Sequence, residues 1–191
     1  MRLAFTLACT FVMIILFMCA GGARKSDKEI GLTVEKLMLM SSLTVFTQLM
    51  IVGLAHPVVA RIFYNLYFIS IDLLLYFLLR FCYEFTRQKM YKTWWDYALR
   101  IIIGIDALLI LGNIYGGYIC SIQEEVIRGE VFYIMSFTTH YQFHLFLCYV
   151  MFVTALLALI RKAANSDPVY WVEYISIAIA LVLIVIIICY T

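Results

Sequence analysis

Three histidines and two isolated carboxylates are the residues of this chain best equipped for chemistry. His140 and His144 stand one helical turn apart and share a helix face, whereas His56 lies far from them in sequence. An imidazole can hold a proton, a ligand contact or a metal near neutral pH. Asp72 and Asp106 interrupt the apolar runs IDLLLYF and IDALLIL, where an ionised carboxylate is costly. Along a helix that rises about 1.5 Å per residue, Asp72 lies about 16 Å from Arg61 and Asp106 about 13 Å from Tyr97. With Arg61 and Tyr97 at opposite membrane surfaces, the two acids sit at nearly one depth. They then either share a proton, so that one stays neutral, or bond separately to hydroxyls such as Ser70, Tyr76, Thr138 or Thr154. The first reading is an ion or proton site and the second is interhelical glue; both fit the residues. A metal held by His56 and His144 lacks an evident third ligand, so no metal and no cofactor are assigned. The six cysteines include no C-x-x-C pair and read as small apolar side chains.

The elements that position these groups follow from hydropathy. With 65% hydrophobic and only 14% charged residues, and a mean hydropathy of +0.99, the chain lacks the polar surface of a soluble domain. Its apolar residues fall in blocks of about 20, the length that crosses a hydrocarbon core as a helix. Six such segments are predicted, at 3–20, 37–54, 62–85, 97–120, 141–160 and 169–190. The expected fold is an all-α, polytopic transmembrane helical bundle forming one domain over 1–191. Pro57 and Pro168 fall between the segments, where they break no helical hydrogen bond.

Charge orients the bundle. Arg24, Lys25, Lys28 and Lys36 flank the first connection, Arg80, Arg87, Lys89, Lys92 and Arg100 the third, and Arg161 and Lys162 the fifth. The other connections hold only Arg2, Arg61 and Arg128. The positive-inside rule therefore places the odd connections in the cytoplasm, the N-terminus outside and the chain in the cell's inner membrane. The first segment is expected to be a retained helix and not a cleaved signal peptide, since cleavage would put the cationic third connection on the wrong side. Six crossings leave Thr191 outside, so a seventh helix is expected beyond it.

This orientation gathers His56, Asn65, Asn113, Tyr115, His140, Tyr141 and His144 in the outer third. There they form either a ligand pocket, with Glu124, Glu125 and Glu130 of the fourth connection as a lid, or an interfacial aromatic belt. Trp94, Trp95, Tyr97, Tyr170, Trp171 and Tyr174 mark the inner edge as interfacial anchors. Asn65, Asp72, Tyr76, Arg80 and Glu84 form one winding stripe on the third segment that should face other helices, with Arg80 and Glu84 paired one turn apart.

The stretch YNLYFISIDLLLYFLLRFCYEF, the Trp94–Trp95 pair, the HYQFH cluster, the exit LIRK and the re-entry YWVEY resemble a family. The chain is similar to the seven-helix N-terminal membrane sensor region of bacterial histidine kinases and diguanylate cyclases. The resemblance implies a sensory input module that relays a ligand or membrane signal to a cytoplasmic output domain outside this chain. Its implied partners are the lipid bilayer, an unidentified small ligand, that output domain and a second copy of the chain. Neither an enzyme nor a nucleic-acid partner is expected, because no nucleophile–base arrangement appears and the cations lie in connections. The alternative, motivated by Asp72 and Asp106, is a small proton- or ion-coupled transporter subunit. A retinal protein is excluded because no lysine lies mid-segment to form a Schiff base.

Overall fold

The computed structural model describes residues 2–25, 29–54, 56–87, 94–116, 120–127, 129–138 and 141–190. Six helices lie among them: α1 (Arg2–Arg24), α2 (Glu29–Leu54), α3 (Pro57–Phe85), α4 (Trp94–Gly116), α5 (Tyr141–Ala164) and α6 (Pro168–Tyr190). The chain is thus all-α in class. The shortest helices have 23 residues, which span about 35 Å. Among the described residues, α1, α2, α3 and α5 are long and apolar enough to cross a membrane. Their outward faces carry large apolar side chains such as Phe11, 66% exposed, and α4 carries Leu108, 70% exposed. Surfaces of that kind belong in lipid. Helices of this length and composition are compatible with a membrane location.

Several helices outrun the predicted apolar segments. α2 begins at Glu29 instead of 37 and α3 at Pro57 instead of 62, because residues flanking an apolar run extend its helix where no breaker intervenes. Pro57 occupies the first helical turn, where its missing N–H leaves no carbonyl unserved. Pro168 opens α6 in the same way.

The fourth connection, expected as a lid, is a β-hairpin. Strands β1 (Cys120–Ile127) and β2 (Glu130–Phe137) pair antiparallel, with Val126 opposite Val131 and Ile127 opposite Glu130. That register leaves a two-residue turn closed by Gly129 at φ 81°, a conformation glycine adopts without steric cost. α4 accordingly stops at Gly116 and not at 120, and Cys120 starts a strand.

α3 is the hub. It packs on α2, α4 and α5 and touches β1, while α1 lies on α2 and α6 lies on α5. The hairpin and the start of α1 share one end of the bundle: Arg2 pairs with Glu130 at 3.8 Å, donates to the Val131 carbonyl and sits 4.8 Å over the Phe132 ring. Tyr64 of α3 donates to the Tyr133 carbonyl at 2.8 Å. The first connection lies at the other end, where Arg24 approaches Glu35 at 3.9 Å.

Candidate functional site

Three helices converge on one imidazole. His144, in the first turn of α5, is 2% exposed, and its Nδ1 lies 2.7 Å from Oδ2 of Asp106 on α4. The same nitrogen lies 3.5 Å from Oδ1 of Asp72 on α3. Asp72 and Asp106 are 0% and 2% exposed. An Nδ1–H donating to the Asp106 carboxylate fixes the ring and turns Nε2 toward Cys148, one turn further along α5, whose Sγ is 3.6 Å away. That sulfur also lies 3.6 Å from Asp72 Oδ1. The second oxygen of Asp72 is buried with no hydrogen-bond partner. A carboxylate oxygen left bare at that depth is costly.

Apolar layers close the cluster at both ends. Phe68, one turn from Asp72 on α3, and Ile110, one turn from Asp106 on α4, are both buried and pack with Tyr141. Phe68 and Tyr141 set their rings 5.1 and 5.8 Å from the imidazole, and Phe137 of the hairpin stacks on Tyr141 at 4.1 Å. On the other side lie Ile103, Leu147, Met151 and the Tyr76 ring. The cluster is a polar island inside a hydrophobic core.

A second island lies nearer the hairpin. Asn113 donates to Asn65 Oδ1 at 3.1 Å and to the Cys120 carbonyl at 3.4 Å, while its own Oδ1 accepts the Cys120 N–H at 3.4 Å. This pair fastens β1 to α3 and α4. Burial pushes the Cys120 thiol up, and the Asn113 amide beside its sulfur acts in the opposite direction. A third island, toward the other end, joins Tyr76 to Asp96 at 3.1 Å and to Arg100 at 2.9 Å, with Arg100 and Asp96 paired at 2.6 Å. Below it Arg80 and Glu84 pair at 2.8 Å.

Of the residues expected to line an outward pocket, Asn65 and Asn113 meet each other, and Tyr141 caps His144. His144 faces the two acids and not the exterior. His56 stands apart, exposed at the N-cap of α3. His140 and the Tyr115 side chain lie outside the described residues. Three of the hydroxyls offered to the acids are used elsewhere: Ser70 bonds Thr44 and the Tyr67 carbonyl, Tyr76 bonds Asp96, and Thr154 bonds the Val150 carbonyl. Cys148 escaped the sequence reading, although its four-residue step from His144 puts both on one helix face. A cavity of about 780 Å³ opens elsewhere, sideways between α4 and α5, lined by Leu79, Trp94, Ile102, Phe146 and Met151 among other apolar groups. No family model matches the chain, and no curated protein matches it.

Proposed function

We propose that the chain is the membrane-embedded input module of a signalling protein, with the His144–Asp106–Asp72 cluster as the element that registers the signal. One observation carries this reading: a single imidazole is held between carboxylates of two other helices, so a change of charge or ligand there acts on α3, α4 and α5 together. Uncompensating a buried pair costs about 3–5 kcal/mol. Carrying a two-state equilibrium from 1:99 to 99:1 takes about 5.5 kcal/mol, so one such event moves most of a population. The cationic connections face the cytoplasm in this reading, and the partner is a histidine kinase or diguanylate cyclase domain on that side. A small ligand or a proton is the input.

A chimera tests it. A seventh apolar helix joined after Thr191 and followed by a cyclase domain makes cyclic dinucleotide output report the state of the bundle. Asp106→Asn and His144→Gln should shift that output in the same direction. Output equal to wild type in both, with the protein inserted and folded, overturns the reading.

A proton- or ion-coupled transporter is the second reading, favoured by Asp72 and Asp106, buried at mid-helix beside His144. The apolar layers above and below them weigh against a continuous path. Uptake into liposomes that is abolished by Asp72→Asn would reverse the order.

A further inference from the structure

The geometry points to a transition-metal site inside the bundle: Asp72, His144 and Cys148 as ligands of one Zn²⁺-class divalent ion, with Asp106 orienting the imidazole. This deepens the input reading by naming the class of ligand. One donor atom from each of the three residues lies within 4.8 Å of the other two. Zinc bonds of about 2.3 Å to sulfur and about 2.0–2.1 Å to nitrogen or oxygen, at tetrahedral angles, separate sulfur from its neighbouring ligands by about 3.6 Å. Cys148 Sγ lies 3.6 Å from His144 Nε2 and 3.6 Å from Asp72 Oδ1. Those match two edges of such a tetrahedron, and the third donor pair lies within 4.8 Å.

Two further features fit. A metal-bound imidazole characteristically donates its other N–H to a carboxylate, which fixes the tautomer and raises the basicity of the ligand. His144 does so through Nδ1 to Asp106 at 2.7 Å, leaving Nε2 to face the sulfur. Independently, Asp72 is fully buried and its Oδ2 has no hydrogen-bond partner, so the carboxylate has unused capacity at the site. The donor set of thiolate, imidazole and carboxylate suits Zn²⁺ better than Mg²⁺ or Ca²⁺, which prefer all-oxygen shells, or Cu⁺, which prefers more sulfur. Binding requires Cys148 as the thiolate and His144 with a bare Nε2, so any proton on either atom is released to solvent. The thiolate and the Asp72 carboxylate then neutralise the divalent ion, and His144 ligates as the neutral ring. No electron moves. Three protein ligands leave a fourth position for water or a signal molecule.

The test uses the chain in lipid nanodiscs, stripped with a chelator and titrated with Co²⁺ alone. The expected result is one equivalent bound, with thiolate-to-cobalt charge-transfer absorption and tetrahedral d–d bands, displaced by Zn²⁺. Cys148→Ser should abolish the charge-transfer band, and Asp72→Asn should weaken binding at least tenfold. Asp106→Asn should weaken it about 10–100-fold through the ring orientation alone. Cys19→Ser, an exposed thiol on α1, should change nothing. Absent absorption in protein with intact helical circular dichroism overturns the site, as does absorption that survives Cys148→Ser. Should the serine variant lose its helices, zinc-edge X-ray absorption on the wild type decides: one sulfur ligand supports the site, and an all-nitrogen-and-oxygen shell overturns it. Cobalt binding is read without any output domain, so its failure leaves the input reading to stand or fall on the chimera.

Discussion

Asp72 and Asp106 contact the same nitrogen and are equally buried, yet their replacement by asparagine should have unequal effects. Asp106 accepts a charge-assisted hydrogen bond at 2.7 Å. Losing a bond to a charged group costs about 1.5–3 kcal/mol in soluble proteins. Interhelical bonds in membranes average about 0.6 and reach about 1.7 kcal/mol, because the unfolded reference also finds partners. The ionic character of this bond puts Asp106→Asn near that upper value, at about 1.5–2 kcal/mol. Asp72 sits 3.5 Å from Nδ1, too far for a good hydrogen bond, and one of its oxygens is bonded to nothing. Removing its charge relieves a buried, unpaired oxygen, so Asp72→Asn should be neutral or stabilising by about 1 kcal/mol. The predicted gap is about 1.5–3 kcal/mol. Reversible unfolding by dodecyl sulfate in mixed micelles, followed by circular dichroism, measures it. An Asp72→Asn loss as large as that of Asp106→Asn would refute the asymmetry and the geometry behind it.

Asn113→Ala should free β1 from the helices, at a cost of about 1–3 kcal/mol for the buried groups left behind. Faster amide exchange at Cys120, with α5 unchanged, is the expected sign. Burial holds the Cys120 thiol above its ordinary range, so at neutral pH it should alkylate far more slowly than a cysteine placed at exposed Glu124; equal rates would contradict that burial. In intact cells an impermeant maleimide should label Glu124→Cys on the hairpin and spare Asn165→Cys at the α5–α6 turn. The opposite pattern would invert the orientation drawn from the cations.

Apolar blocks made the helices legible, because a segment of about 20 apolar residues has few stable alternatives in lipid. The buried stripe on α3 was equally readable: Asn65, Asp72 and Tyr76 are polar residues at helical spacing, and all three are buried. Arg80 and Glu84 pair one turn apart, as side chains at that spacing can. The hairpin was not read. Its strands run CSIQEEVI and EVFYIMSF, with no apolar block of span length and with exposed glutamates in the middle of β1. The signal was Gly129 between two runs that hold β-branched and aromatic residues. The equal depth of Asp72 and Asp106 followed from counting residues. Their meeting on His144 did not, because side-by-side placement of α3, α4 and α5 depends on packing between helices that no local pattern encodes. His144 was assigned to the outer rim by sequence position, and its helix begins only three residues earlier, so the first turn of α5 reaches deeper than a linear count implies.

Coordination separates glue from a binding site. Interhelical adhesion needs one acceptor for the imidazole N–H, and Asp106 supplies it at 2.7 Å. A second carboxylate adds negative charge inside layers of Phe68, Ile110, Ile103, Leu147 and Met151 that offer no compensating donor. Lipid-buried residues that cost stability are characteristically functional ones. An added proton would lower that charge but would leave the Cys148 sulfur, 3.6 Å from both imidazole and carboxylate, only a weak thiol donor. Adhesion accounts for Asp106 and His144 and leaves Asp72 and Cys148 unexplained, whereas a bound divalent cation gives each of the four side chains a role.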